Sequence, residues 1–163
     1  MYSFVARQDE GTCFPLCEEL GLTYVSACHL AKGYLSNRYA AGTKYRKGDW
    51  RGEMKLFQKE GIDANRNLMN LITEFAERKQ ATPAQIALAW ENTKKPYLIP
   101  IPGTTKKERV KENFEAVNVE LSTEERREIE EALSHMDIVG MGRIGFSGTV
   151  LFPDCMRSRR QTA

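Results

Sequence analysis

The spacing of apolar residues along the chain predicts amphipathic helices. Apolar residues recur at helical intervals over residues 64–79, and shorter helical patterns cover residues 9–20 and 122–136. The positions assigned to the buried faces of these three helices are Phe14, Leu16, Cys17, Leu20, Leu68, Leu71, Ile72, Phe75, Ala76, Ile129 and Leu133. Such one-sided helices need another layer of structure against which to pack.

Two segments have the composition of a helix start. Thr82-Pro83-Ala84-Gln85 combines a capping threonine, a proline at the first helical position and a glutamine that completes a capping box. Ser122-Thr123-Glu124-Glu125 is a second capping box. The first predicts a helix to about residue 92 that buries Ile86, Leu88, Ala89 and Trp90, and residues 106–117 are also expected to be helical.

Short runs of β-branched and aromatic residues predict strands. Leu22-Thr23-Tyr24-Val25 follows a helix that Gly21 ends, and Tyr97-Leu98-Ile99-Pro100-Ile101 precedes another helix. The opening Tyr2-Ser3-Phe4-Val5 is compatible with a strand stub. Helices alternating with strands indicate an α/β fold.

Residues 26–63 have a different composition from their flanks. This stretch contains five glycines together with basic and aromatic residues, and it has no helical or strand periodicity. A loop of this length in a compact domain is either functional or disordered. The sequence leaves both alternatives open.

Composition sets bounds on the class of protein. A chain of 163 residues has room for one domain. Its 24 basic and 22 acidic residues are too evenly balanced to indicate a nucleic-acid or membrane partner. No apolar stretch is long enough to span a bilayer and the first residues lack the order of a signal peptide, so we expect a cytoplasmic protein. The four cysteines, which lack a CxxC pair, favour free thiols over a zinc site or a disulfide framework.

Residues 140–145, Gly-Met-Gly-Arg-Ile-Gly, match the letters of a dinucleotide-binding motif. The physical basis of that motif requires a helix directly after the glycines and an acidic residue about 20 positions further on. Residues 146–153 have a strand or coil pattern, and the chain ends before such an acidic residue. An irregular tail over residues 140–163 is the better interpretation.

A second candidate site lies at residues 101–113. An apolar strand leads into Gly103-Thr104-Thr105 and then a helix, and the free amides at a helix start attract anions. Arg109, Glu112 and Asn113 share one helix face, where they could bind a phosphate or a base. The alternative is a capped, solvated helix with internal charge pairs.

Four stretches in collinear order over residues 1–139 resemble the C-terminal half of the aldo-keto reductases. They are Gly21 to Ser36, Ala81 to Trp90, Ile99 to Thr105 with Arg109, Glu112, Asn113 and Ala116, and Leu121 to Glu125. The resemblance implies part of a TIM (β/α)8 barrel, helix-rich and incomplete as a single chain. It also implies NADPH as cofactor and carbonyl reduction as the activity of the family.

The resemblance assigns cofactor-binding roles to thirteen residues. Those on the pyrophosphate side would be Cys28, His29, Leu30, Ala31 and Lys32, with the basic loop residues Arg38 and Arg46. Gly103, Thr104 and Thr105 would meet the adenosine 2′-phosphate, and Arg109, Glu112 and Asn113 the adenine. Thr104, Thr105 and Arg109 favour NADP over NAD.

Two departures from the family pattern affect the expected activity. The aromatic residue that stacks on nicotinamide is replaced by Ala27. No residue matches the family's catalytic Asp, Tyr, Lys and His, and His29 and His135 lie in other contexts, a loop and a helix end. We therefore expect a truncated reductase that is inactive alone, with a carbonyl substrate only in the intact family fold.

An incomplete barrel has unpaired strand edges and uncovered helix faces, so we expect self-association as a dimer or higher oligomer. A helix-dominated rearrangement is the structural alternative. The functional alternatives are a nucleotide-binding or oligomeric interaction fragment without catalysis, and a truncated product without selected activity.

Overall fold

The computed structural model describes residues 1–140, and its regular structure is mainly helical. The α-helices are α1 (Cys13–Leu20), α2 (Lys59–Ala64), α3 (Arg66–Lys79), α4 (Pro83–Asn92), α5 (Lys107–Glu115) and α6 (Thr123–Ser134). Short segments of 3-10 helix occur at Gln8–Gly11, Ala31–Ser36, Trp50–Glu53, Lys55–Phe57 and Ala116–Asn118, of which Ala31–Ser36 is kinked at Lys32 and Gly33. Both predicted capping boxes form, at Thr82 and at Ser122, so the starts of α4 and α6 are confirmed.

Two short parallel strands form the sheet of the described region. Strand β1 (Tyr24–Ser26) pairs with β2 (Leu98–Pro100) in the register Tyr24 with Leu98 and Ser26 with Pro100. The crossover between them contains α2, α3 and α4, as parallel pairing requires. Because the strands are parallel, their carboxyl ends lie at the same edge of the sheet.

Trp90 on α4 lies at the centre of the core. Its ring stacks on Phe4 with 4.0 Å between centroids and on Tyr2 with 5.5 Å. Its indole N–H donates to Glu130 on α6 at 2.9 Å, so the buried polar edge is satisfied. The predicted inner faces of α3 and α6 are largely confirmed, with Leu68, Ile72, Phe75, Ala76, Ile129 and Leu133 buried.

Three local expectations are wrong. Residues 2–5 do not form a strand, because Ser3 and Ala6 exchange two backbone hydrogen bonds around a tight turn. Tyr2, Phe4 and Val5 are all buried rather than alternating in and out. On α1, Leu16 and Leu20 are 52% and 57% exposed, since the two-stranded sheet leaves that side of the helix uncovered and Phe14 alone reaches the core. Leu71 on α3 is only half-buried.

Residues 26–63 are structured rather than a continuous loop. They contain three short segments of 3-10 helix and α2, and they place Tyr34, Leu35, Leu56 and Phe57 in the core. The glycine-rich composition concealed these short elements because each 3-10 segment buries at most three residues. Residues 141–163, with most of the glycine motif and the predicted irregular tail, lie outside the described residues.

Within residues 1–140, none of the helices has the length and apolar character that crossing a bilayer would need.

Candidate functional site

A cleft of about 510 Å³ opens at the carboxyl ends of β1 and β2. One wall is the segment that follows β1, together with residues 36–39 and 49–51. The opposite wall is the segment 101–105 that follows β2 and one face of α5. In open α/β sheets, this edge is where ligands commonly bind.

The cleft gathers eleven of the thirteen residues assigned by resemblance. They are Cys28, His29, Leu30, Lys32, Arg38, Gly103, Thr104, Thr105, Arg109, Glu112 and Asn113. The other two do not line it. Ala31 is completely buried in the core, and Arg46 lies exposed on the loop outside the cleft lining.

The wall after β1 has an unusual backbone. Cys28, Ala31 and Lys32 have φ values of 66°, 47° and 60°, in the left-handed region that costs a non-glycine residue roughly 1–2 kcal/mol. Gly33 follows at φ 94°, and a Cβ there would lie 3.4 Å from the Tyr39 ring. Tertiary contacts therefore hold this loop in its shape against local preference, as is common at binding sites.

Some of the charged side chains that line the cleft form ion pairs with one another. Arg51 donates to Asp49 at 2.6 Å and 2.9 Å and also hydrogen-bonds the Tyr39 hydroxyl. These hydrogen bonds from Arg51 hold the pKa of Asp49 below its usual value. Arg38 and Glu112 lie 3.5 Å apart, a loose pair across the cleft.

Two further cations have no carboxylate partner among the described residues. Arg109 projects from α5 without an ion pair there, and the Lys32 ammonium lies 5.3 Å from the centroid of the Trp50 ring. Three cations, Lys32, Arg38 and Arg109, thus face a space that holds one available carboxylate, Glu112. This excess positive charge suits an anionic ligand.

The wall after β2 offers backbone and hydroxyl groups. No atom lies within 4 Å of a Cβ built on Gly103, so the space beside its backbone is open. The Thr104 hydroxyl accepts from the backbone N–H of Lys106 at 3.2 Å, which organises the start of α5. Gln85 on α4 donates to the backbone carbonyl of Glu112 at 3.1 Å and so holds α5 in place.

A buried polar cluster lies beneath the cleft and joins its two walls. His29 Nδ1 lies 3.0 Å from both carboxylate oxygens of Glu91 on α4 and 3.3 Å from the Ser26 hydroxyl. Ser26 also donates to Glu91, and the backbone N–H of Ile101 donates to His29 Nε2 at 2.9 Å. His29, Ser26 and Glu91 are at most 3% exposed. His29 therefore borders the cleft, but both its ring nitrogens are engaged within the protein.

Sequence reasoning missed several residues of this region. Ser26 and Glu91 were not singled out, although a glutamate directly after the apolar run 86–90 signals a buried charge that needs a partner. Tyr39, Trp50 and Arg51 also line the cleft. The aromatic and basic composition of residues 37–51 was the available signal.

The comparisons with known proteins assign the family. A sequence model described as the Aldo/keto reductase family matches residues 1–134. The paired parallel strands, the helices around them and the cleft at the strand ends define a helix-rich α/β protein. The chain belongs to the aldo/keto reductase family.

Two curated relatives illustrate the extent of the match. A probable aldo-keto reductase 1 of Glycine max is 35% identical over 139 residues, which cover 85% of this chain and 40% of the relative. The NADP(+) aldo-keto reductase yakc of Schizosaccharomyces pombe is 32% identical over 153 residues, which cover 94% of this chain and 45% of the relative. The chain spans less than half the length of these relatives.

Solved structures agree at the level of fold. The glycerol dehydrogenase AKR11B4 from Gluconobacter oxydans matches 83% of this chain and 41% of its own, with a TM-score of 0.75 and 20% identity. An aldo-keto reductase from Klebsiella pneumoniae in complex with NADPH matches 80% of this chain and 37% of its own, with a TM-score of 0.54 and 23% identity. The two strands and the helices around them therefore have the arrangement of part of such a structure.

Proposed function

We propose that this chain carries the adenosine-phosphate half of an NADP(H) site of the aldo-keto reductase type. The observation that carries the proposal is the convergence of Lys32, Arg38 and Arg109 with the Thr104 and Thr105 hydroxyls around one open cleft. Cations and hydroxyl donors beside the start of a helix are suited to phosphate oxygens. The cofactor named for the Schizosaccharomyces pombe relative supports the same assignment.

Each wall of the cleft has its own task in this proposal. Cys28, Leu30 and Lys32 with Arg38 face the pyrophosphate. Gly103, Thr104 and Thr105 receive the 2′-phosphate. Arg109 binds this phosphate or stacks on the adenine, and Glu112 and Asn113 accept from and donate to the edge of the base. The open space at Gly103 lets the ligand approach the backbone.

We further propose that these 163 residues do not reduce carbonyl compounds alone. When bound, NADPH supplies the hydride, but a proton must reach the carbonyl oxygen from a positioned acid. The phenols of Tyr2 and Tyr24, which hydrogen-bond Glu10 and Asp9, have pKa values raised above that of free tyrosine, first by burial and then by these carboxylates. Neither of these tyrosines lines the cleft. Tyr39 does, but its hydroxyl accepts from Arg51 within one wall, so none of the three is assigned as the acid.

Fluorescence titration with NADPH tests the cofactor site. We expect saturable binding by the chain and weaker binding of NADH. Arg109→Met should bind NADPH roughly ten- to hundredfold more weakly, because a charge-assisted contact contributes roughly 1.5–3 kcal/mol. Arg127→Met, an exposed arginine on α6, is the matched control and should leave affinity unchanged. Absence of binding, or unchanged affinity in Arg109→Met, contradicts the site.

A carbonyl-reduction assay on the same preparation tests the second part. No NADPH oxidation above background is expected with a panel of aldehydes and ketones. Turnover that copurifies with the chain through two separation steps contradicts the proposal that the catalytic acid is absent from these residues.

A self-associated state completes the proposal, and two observations support it. The paired strands have one face with Val25, Ile99 and Ile101 about half exposed. Val110 and Phe114 on α5, and Val117 in the 3-10 turn that follows it, are also exposed. Apolar surface of this kind on a small chain favours association. The alternative role, an interaction fragment without a bound nucleotide, predicts association with no NADPH binding.

A further inference from the structure

The buried cluster of Ser26, His29 and Glu91 links both strands and α4 beneath the cleft. Ser26 is the last residue of β1, His29 lies in the wall that follows it, and Glu91 is near the end of α4. Ile101, whose backbone N–H reaches His29, is the first residue after β2. A single imidazole thus connects the two walls on either side of the ligand space.

The hydrogen bonds fix the tautomer of His29. Nε2 must be the unprotonated nitrogen, because it accepts from the backbone N–H of Ile101. Nδ1 therefore carries the proton and donates to the Glu91 carboxylate, which also accepts from the Ser26 hydroxyl. A ring held from both nitrogens is fixed in position and orientation.

This arrangement differs from a hydrolytic triad despite its composition. In a triad the serine and the acid lie on opposite nitrogens of the histidine, so that Nε2 can take the serine proton. Here Ser26 and Glu91 both lie on the Nδ1 side, and Nε2 is occupied by the main chain. The cluster consequently holds the His29 ring in place and is not a nucleophilic site.

The cluster also links β1 and β2 at the point where the hydrogen bonds between their backbones end. In the register of the sheet Ser26 pairs with Pro100, and a proline cannot donate to the neighbouring strand. The next donor along β2 is the N–H of Ile101, and the His29 ring accepts it. His29 therefore extends the link between the strands by one residue, to Ile101, two residues before Gly103.

We propose that His29, held by Glu91 and Ser26, is a positioning residue that sets the separation of the two cleft walls for the cofactor phosphates. This inference deepens the proposed NADP(H) site and rests on it for its ligand. It predicts that loss of the imidazole weakens nucleotide binding although the ring itself makes no contact with the ligand.

Two measurements without cofactor test the geometry. Nitrogen-15 NMR of the ring should show a protonated Nδ1 and an unprotonated Nε2. The amide of Ile101 should exchange slowly although its side chain is 58% exposed, and His29→Leu should remove this protection. Glu91→Gln should retain it, because the amide oxygen still accepts from Nδ1, whereas Glu91→Leu should not. The opposite tautomer, or unchanged protection in His29→Leu, overturns the proposal.

Nucleotide binding tests the consequence. We expect NADPH affinity about tenfold lower in His29→Leu and in Glu91→Leu, and near wild type in Glu91→Gln. Ile129→Ala, a buried truncation on α6 outside the cleft lining, controls for general loss of stability and should bind normally. If the chain binds NADPH but His29→Leu binds equally well, the positioning role is wrong. If the chain binds no NADPH, the proposed function fails, and the tautomer and exchange results still decide whether the link between the walls exists.

Discussion

The side chains of the cleft divide into those already engaged and those available to a ligand. Asp49 is ionised and bound by Arg51, so this pair neutralises itself on one wall. Arg109 and Lys32 form no ion pair with a carboxylate among residues 1–140, and Arg38 is only loosely paired with Glu112. The available charge is therefore cationic, and an incoming phosphate need not break a strong ion pair.

Gly103 offers a selective test of ligand approach. Its backbone has no left-handed strain and a Cβ would meet no atom within 4 Å, so Gly103→Ala should leave the free energy of unfolding within about 0.5 kcal/mol of wild type. NADPH binding should weaken about tenfold, because the methyl group would occupy the space used by the ligand. Denaturant unfolding and fluorescence titration measure the two effects.

Gly11→Ala is the matched control, since its Cβ also meets open space and it lies outside the cleft. Equal NADPH affinity of both alanine variants and wild type would remove Gly103 from the site.

The carboxyl group of Glu10 is expected to make the free energy of unfolding depend on pH in the acid range. Burial acts to raise the pKa of this carboxyl group, but hydrogen bonds from Arg7 and Tyr2 and the charge of Lys94 outweigh it and lower the pKa below its usual value. A lowered folded-state pKa contributes stability above the pKa of the unfolded chain, and this contribution is lost as pH falls through the folded-state value. Glu10→Gln should therefore cost about 1 kcal/mol at neutral pH and less at low pH.

Urea unfolding at neutral pH and at about pH 3 measures this difference. Glu18→Gln, an exposed carboxylate 63% accessible at its side chain, is the control and should change stability little at either pH. A Glu10→Gln penalty that is equal at both pH values would contradict the linkage.

At the scale of elements, α4 organises the molecule. Its capping box holds the first turn, and Gln85 serves both as acceptor for the Thr82 N–H and as donor to the Glu112 carbonyl. Its middle buries Trp90, and its end presents Glu91 to His29. One helix therefore joins the core to both walls of the cleft.

The end of α3 provides a test of backbone strain. Gln80 caps this helix at φ 51°, in the left-handed region, and its N–H bonds to Ala76 and Glu77. Gln80→Gly should stabilise the chain by roughly 1 kcal/mol, because glycine adopts this conformation without a steric penalty. Thermal or urea unfolding measures the gain.

Gln80→Asn should give a smaller gain and Gln80→Val a loss, since a β-branched residue tolerates a positive φ least. The reverse order among the three variants would show that the cap is not strained.

At the scale of the whole molecule, the two-stranded parallel sheet has the least coverage by other elements of the described residues. Parallel sheets are usually covered on both faces and extended on both edges. Here α4 packs against β2 and buries Leu98, while Val25 and Ile99 on the other face are exposed. The matched regions cover 40% and 45% of the two curated relatives.

Self-association can be measured directly by sedimentation velocity. We expect a species heavier than the 18.6 kDa monomer, and Phe114→Ser should shift the distribution toward the monomer. Phe114 is 72% exposed, so its replacement removes apolar surface with little cost to folding.

Leu16→Ser on α1 is the companion variant and identifies which apolar face associates. A wild-type chain that sediments as a compact monomer over the full concentration range contradicts the association.

Local sequence determined most of the helices. The capping boxes at Thr82 and Ser122, the periodicity of α3 and the strand–turn–helix pattern of residues 98–115 depend on residues only a few positions apart, and each was predicted. The family resemblance selected residues that the fold brings into one cleft, with Ala31 and Arg46 as the exceptions. The tight turn at residues 2–5 and the exposed face of α1 were missed, because they depend on what packs against them.

Only the tertiary structure decided which distant residues meet. His29 and Glu91 are 62 positions apart and their contact depends on the crossover that returns β2 beside β1. No local pattern encodes that return, because it is set by the packing of α3 and α4 and by the core around Trp90. The sequence therefore determined the helices and strands and the chemistry they carry, and the packing of the core determined that this chemistry faces one cleft.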